Sequence, residues 1–76
     1  MNANTVTSSL RDLRKLPAVR RQTGKSAAAI YREAKAGTFP APVKIGSRAS
    51  AWVGSEVDAW ISERIAQRDA AQRDAP

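Results

Sequence analysis

The sequence predicts a mainly α domain with a two-stranded β wing, a winged helix-turn-helix of three helices plus a hairpin. Three observations carry this. Gly24 and Ser26 separate two short helical segments; residues 39–42, Phe-Pro-Ala-Pro, lead into the alternating Val43-Lys44-Ile45; and Ser55-Glu56-Val57-Asp58 starts another helix. Two short helices joined by a glycine-containing turn form a helix-turn-helix. A hairpin of this length is unstable alone and must pack on its neighbours.

Taken in order, residues 1–9 are polar and aperiodic and are expected to form a disordered N-terminal tail. Leu10, Leu13 and Leu16 then fall three apart with basic residues between them. That spacing suits either a helical turn or an extended lead-in that donates leucines to the core. Pro17 fits the first position of a helix, where its missing N–H costs nothing, and Gly24 can close that helix after Thr23 in a left-handed cap. Ser26 is placed to cap a second helix, Ala27 to Ala36, which Gly37 ends.

At 100° per residue the second helix sets Ala27, Ile30 and Ala34 on an inner face and Ala28, Arg32 and Lys35 opposite, with Tyr31 on the flank. The prolines that follow force extended backbone. Val43 to Ile45 reads as one strand, Gly46-Ser47-Arg48-Ala49 as a turn and Ser50 to Trp52 as the returning strand, seated through Val43, Ile45 or Trp52. Ser55 is expected to cap a third helix from Glu56 to about Gln67, with Val57, Trp60, Ile61 and Ile65 as its apolar stripe. Trp52 and Trp60 are expected to be core aromatics. The five-residue repeat Ala66-Gln-Arg-Asp-Ala70 and Ala71-Gln-Arg-Asp-Ala75 keeps no single helical face, so residues 68–76 are expected to be a flexible tail after a domain spanning 10–67.

Charge is distributed unevenly. From Arg11 to Arg48 there are ten basic and two acidic residues, a net +8, whereas Ala49 to Pro76 carries −2. Basic charge gathered on one part of a small chain is the footprint of a nucleic-acid binder. The chain has no cysteine and no histidine, which removes disulfides, thiolate sites and the commonest metal ligand and general base. It also shows no glycine-rich phosphate loop and no paired carboxylates in an apolar setting. An enzyme is therefore not expected, nor is any cofactor or metal. The longest wholly apolar run, Ala27 to Tyr31, is far short of a membrane span, and no signal peptide opens the chain. A cytoplasmic, nucleoid-associated protein is expected.

Several blocks together resemble a known family: Leu16-Pro-Ala-Val-Arg-Arg-Gln-Thr-Gly24, Ser26-x-x-x-Ile-Tyr-Arg32, Gly37-x-Phe-Pro-x-Pro-Val-Lys-Ile-Gly46, then Arg48, Trp52 and Ser55-Glu-Val-Asp-Ala-Trp-Ile61. In this order and spacing, over roughly residues 13–66, they are similar to the AlpA-like prophage regulators, which belong with excisionases of the MerR-like winged-helix group. The resemblance implies a small double-stranded-DNA-binding protein of a mobile element. Members activate or repress integrase and excision genes, or act as recombination directionality factors that bind and bend attachment-site DNA. The implied reading helix is Ser26 to Lys35.

The DNA-binding residues expected on this basis are Arg20, Arg21, Lys25, Ser26, Ala28, Tyr31, Arg32 and Lys35, with Lys44, Ser47 and Arg48 on the wing. One departure matters: Lys25 stands where the family usually has a larger apolar residue, and Ala27, Ala28 and Ala29 where it usually has Arg, Ser and Thr. Alanine offers only methyl contact to a base edge. Phosphate contacts, DNA shape and cooperative assembly are therefore expected to carry more of the binding. Self-association along DNA and a site-specific integrase are the further partners considered. The alternative reading is a protein-interaction module, adaptor or antitoxin-like, whose basic face meets an acidic partner.

Overall fold

The computed structural model describes residues 12–74. The expected disordered tail, residues 1–9, and Leu10 lie outside the described residues. The elements run β1 (Leu13–Arg14), α1 (Leu16–Thr23), α2 (Ala27–Ala36), β2 (Val43–Gly46), β3 (Ala49–Val53) and α3 (Gly54–Asp74). Three helices with a small antiparallel sheet make the winged helix-turn-helix that the sequence predicts.

Local chemistry sets the helix-turn-helix. Lys15 is extended at the start of α1, and Gly24 closes that helix at φ 74°, its N–H donating to the Arg20 carbonyl at 2.8 Å. The Ser26 hydroxyl accepts from the Ala29 N–H at 3.1 Å, and Gly37 ends α2 at φ 85°. Glycine suits both closing positions because other L-residues rarely adopt this left-handed backbone conformation, although there is space for a side chain. Helix α1 begins at Leu16, so Pro17 lies within the first turn, where no donor is required of it.

The lead-in around Leu13 is extended: β1 pairs with β3, Leu13 opposite Val53 and Arg14 opposite Trp52. The sheet therefore has three strands in the order β1-β3-β2. Between β2 and β3 the register is Val43 to Ala51 and Lys44 to Ser50, with an irregularity before Gly46 pairs with Ala49. At the junction of β3 and α3, the Gly54 N–H donates to the Asp12 carbonyl at 2.7 Å. A Cβ on Gly54 would meet the Asp12 carboxylate and the Arg14 Nε, so a side chain there would have to displace that pair.

The core comprises Val19, Ile30, Phe39, Trp52 and Val57, with Leu16, Trp60 and Ile61 packed around it. Trp52 is fully buried on the central strand and its indole N–H donates to the Pro40 carbonyl at 2.9 Å. Trp60, at the rim, donates to the Thr38 carbonyl at 3.0 Å and meets the Phe39 ring edge-on at 5.1 Å. Of the three residues expected to seat the hairpin, Trp52 does so, while Val43 and Ile45 remain 41% and 43% exposed.

Two sequence expectations for the third helix need correction. It begins at Gly54 directly out of β3, so Ser55 lies in its first turn and is not the cap. It also runs to Asp74, beyond the expected end near Gln67. The repeated Ala, Gln and Arg residues are strong helix formers with no glycine or internal proline among them, so nothing local stops the helix.

Arg14 ties the ends of this fold together. Its guanidinium forms a bidentate pair with the Asp58 carboxylate of α3 at 2.8 and 3.0 Å, and also bonds Asp12 at 2.9 Å and Gln22 of α1 at 2.9 Å. The hydrogen bonds from Arg14 hold the Asp58 carboxyl below its ordinary value; desolvation opposes them, and the guanidinium charge adds a smaller lowering. Arg14→Met should lower stability by about 1–2 kcal/mol in urea unfolding, since a partly shielded bidentate pair exceeds a solvated one. The sign of the pH effect follows from Asp58: its folded value is lowered, so the contribution is present above the unfolded carboxylate value and lost as pH falls through the folded one. The melting-temperature gap between the native chain and Asp58→Asn should therefore be full near neutrality and close progressively in strong acid.

Candidate nucleic-acid interface

Helix α2 presents the two faces that its sequence spacing implies. Ile30 is buried and Ala27 and Ala34 are half-buried, while Ala28, Arg32 and Lys35 are exposed. Tyr31 lies on the flank, 48% exposed, with its ring centroid 5.7 Å from that of Trp52. That tilted aromatic contact is a direct side-chain link between α2 and the hairpin, and it fixes one against the other. Ser47 and Arg48 occupy the exposed turn between β2 and β3, and Lys44 is exposed on β2.

The basic residues divide by what they touch. Arg20, Arg21, Arg32, Lys35, Lys44 and Arg48 are all exposed, and none makes an ion pair among the described residues. Arg20 and Arg21 lie at the end of α1, where with Pro17, Gly24 and Lys25 they line a shallow depression of about 400 Å³. Lys25 differs from these six. Its ammonium lies 2.8 Å from one Glu33 carboxylate oxygen and 2.9 Å from the other, and 5.4 Å from the centre of the Trp60 ring. It braces the turn against α2 and α3. Ser26 is likewise engaged as the α2 cap, although its hydroxyl proton remains available to donate.

Lys25 is among the DNA contacts expected from the family resemblance; its partner Glu33, eight residues away, has no local signal in the sequence. Lys15, counted only in the charge balance, is also exposed and outside the ion pairs of the described residues, at the opening of α1. Among the described residues no group of three or more acids, histidines or cysteines could hold a metal ion, and no helix is long and apolar enough to cross a membrane.

Comparison with known proteins adds two findings. The family model described as prophage CP4-57 regulatory protein (AlpA) matches residues 12–65. The chain is 41% identical over 54 residues to the uncharacterized protein ORF88 of Enterobacteria phage P4, a stretch covering 71% of this chain and 61% of that relative. The match thus spans less than two-thirds of the phage protein's own length.

The division of cations is open to test by stability alone. Lys25→Met leaves Glu33 half-buried without its partner and should cost about 1 kcal/mol in denaturant unfolding. Arg32→Gln and Arg48→Gln should stay within about 0.5 kcal/mol of the native chain, because each removes an exposed, unpaired charge.

Proposed function

The chain belongs to the AlpA family of prophage regulatory proteins, and from that premise we propose a regulator of a mobile element that grips double-stranded DNA. In this reading α2 lies in the major groove and the wing follows the adjacent backbone. The observation that carries it is the set of six exposed cations outside the ion pairs of the described residues, distributed over the end of α1, the outer face of α2 and the wing. A folded chain that pairs Arg14 and Lys25 internally while leaving these six in water keeps them available for phosphates.

Base reading is sparse in this arrangement. Ala28 presents only a methyl group, so Ser26, Tyr31, Arg32 and Lys35 are left to reach base edges. Weak discrimination by one copy is compensated by cooperative assembly along the DNA and by sensitivity to DNA shape. Such a protein suits the excisionase role, in which it binds and bends attachment-site DNA and assists a site-specific integrase. The same surface serves transcriptional control of the integrase and excision genes. Nothing in the fold favours an adaptor whose basic face meets an acidic protein.

A gel-shift series on the element's own attachment-site DNA tests the proposal. Binding should fall with salt at a logarithmic slope of about −5 if all six cations contact phosphate, and Arg32→Ala or Arg48→Ala should each reduce that slope by about 1. Stepwise laddering with protein concentration supports cooperative assembly, and loss of integrase-dependent excision in the same variants supports the excisionase role. Absence of binding would overturn the DNA reading, and salt-insensitive binding, or binding intact in Arg32→Glu/Arg48→Glu, would overturn the assignment of the phosphate contacts to these cations. A single discrete complex would remove the cooperative part.

A further inference from the structure

A second surface, outside the six cations, has the opposite character. The loop after α2 and the first three turns of α3 border an open groove of about 550 Å³. Its walls include Phe39, Pro40, Ala59 and Trp60, and Glu56 and Glu63 border it. The two glutamates stand seven residues apart, two helical turns, and so on one face of α3. Both are exposed. Glu56 suits the first turn of the helix, where a negative charge is favoured by the helix dipole. Glu63 has no such reason to be there, and its one ion pair among the described residues is a 3.6 Å approach to the adjacent Arg64.

The groove already displays the chemistry of the ligand it suits. The Arg64 guanidinium lies 5.2 Å from the centre of the Trp60 ring, and its side chain is 44% exposed. A guanidinium therefore fits against this ring beside Glu63, and the Lys25 ammonium also approaches the ring, 5.4 Å from its centre. Thr38 and Trp60 are joined by the indole hydrogen bond, so the aromatic floor is fixed before anything binds. None of the exposed residues on the outer face of α2 and none of the wing residues line the groove, which leaves it accessible when those elements are occupied.

We infer that this groove docks a basic peptide segment of a partner protein, with one apolar side chain set on Pro40 and Trp60 and flanking arginine or lysine residues paired with Glu56 and Glu63. In a chain whose net charge is +6, two carboxylates around an aromatic floor select a ligand of the sign that the basic face repels. The inference goes beyond the DNA reading and is measured separately from it.

The test is a ¹⁵N NMR titration of the full chain with the acetylated, amidated peptide Lys-Arg-Leu-Arg-Lys. The expected result is saturable shifts of the Trp60 indole N–H and of amides in Gly37–Phe39 and Glu56–Glu63, with those of α2 unmoved. Glu56→Gln/Glu63→Gln, changing only exposed side chains, should keep the native spectrum and bind the peptide about fivefold or more weakly. The proposal is overturned if no shifts appear, or if Lys-Arg-Gly-Arg-Lys binds equally well, which would reduce the effect to charge alone. It is also overturned if Glu-Asp-Leu-Asp-Glu shifts the same signals, or if they move with protein concentration without peptide, which would make a second copy the occupant.

Discussion

The fold turns on one side chain. Trp52 is fully buried on the central strand, and its indole N–H is satisfied by the Pro40 carbonyl. Through it the strand, the proline-containing loop and the helices share a core, and through the Tyr31 ring the hairpin is oriented against α2. With Val43 and Ile45 in solvent, the hairpin is held besides by the buried Ala51 and by the short pairing of β3 with β1. A 76-residue chain without cysteine cannot add a disulfide to compensate. The relative placement of α2 and the wing therefore depends on packing at Trp52 more than on either element itself.

A second constraint concerns charge. A small basic chain has to keep its cations from destabilising the folded state while leaving some available for a partner. The structure does this by separating them. Arg14 is fully occupied in joining β1, α1 and α3, and Lys25 joins the turn to Glu33 and Trp60. Both lie among neighbours that partly shield them, with side chains 20% and 21% exposed. The remaining cations of α1, α2 and the wing stay in water. The electrostatics of the fold and those of the outer surface thus use different residues, and each set can change with little effect on the other.

How much of this was legible in the sequence follows from the range of each interaction. Gly24, Ser26 and Gly37 act on backbone within four residues of themselves, and the bounds of α2 could be read from them directly. The inward set Ala27, Ile30 and Ala34 follows from helical periodicity for the same reason. What escaped depends on distant partners. β1 is two residues long and exists because β3, some forty positions later, offers it an edge. Gly54 lies against Asp12, and Lys25 is engaged by Glu33 across the turn. The length of α3 escaped for a different reason: the repeat was judged by its lack of an amphipathic face, whereas helix propensity alone carries it to Asp74.

The alanines of α2 connect these points. With small side chains at Ala27 and Ala34 facing inward, α2 can sit close to its neighbours, and the Tyr31–Trp52 contact is short enough to fix its orientation. With a small side chain at Ala28 facing outward, nothing prevents equally close approach on the other side. A helix of this kind trades hydrogen-bonding groups for proximity. On the proposed reading, its backbone and its flanking cations come near the phosphates without a bulky side chain between them, which favours recognition by shape over recognition by base edge. Information lost at the base edges has to be recovered elsewhere, from neighbouring copies on the same DNA or from a protein that positions the chain. An acidic, aromatic groove set apart from the basic face is a physical means for the second, because it attracts what the basic face repels.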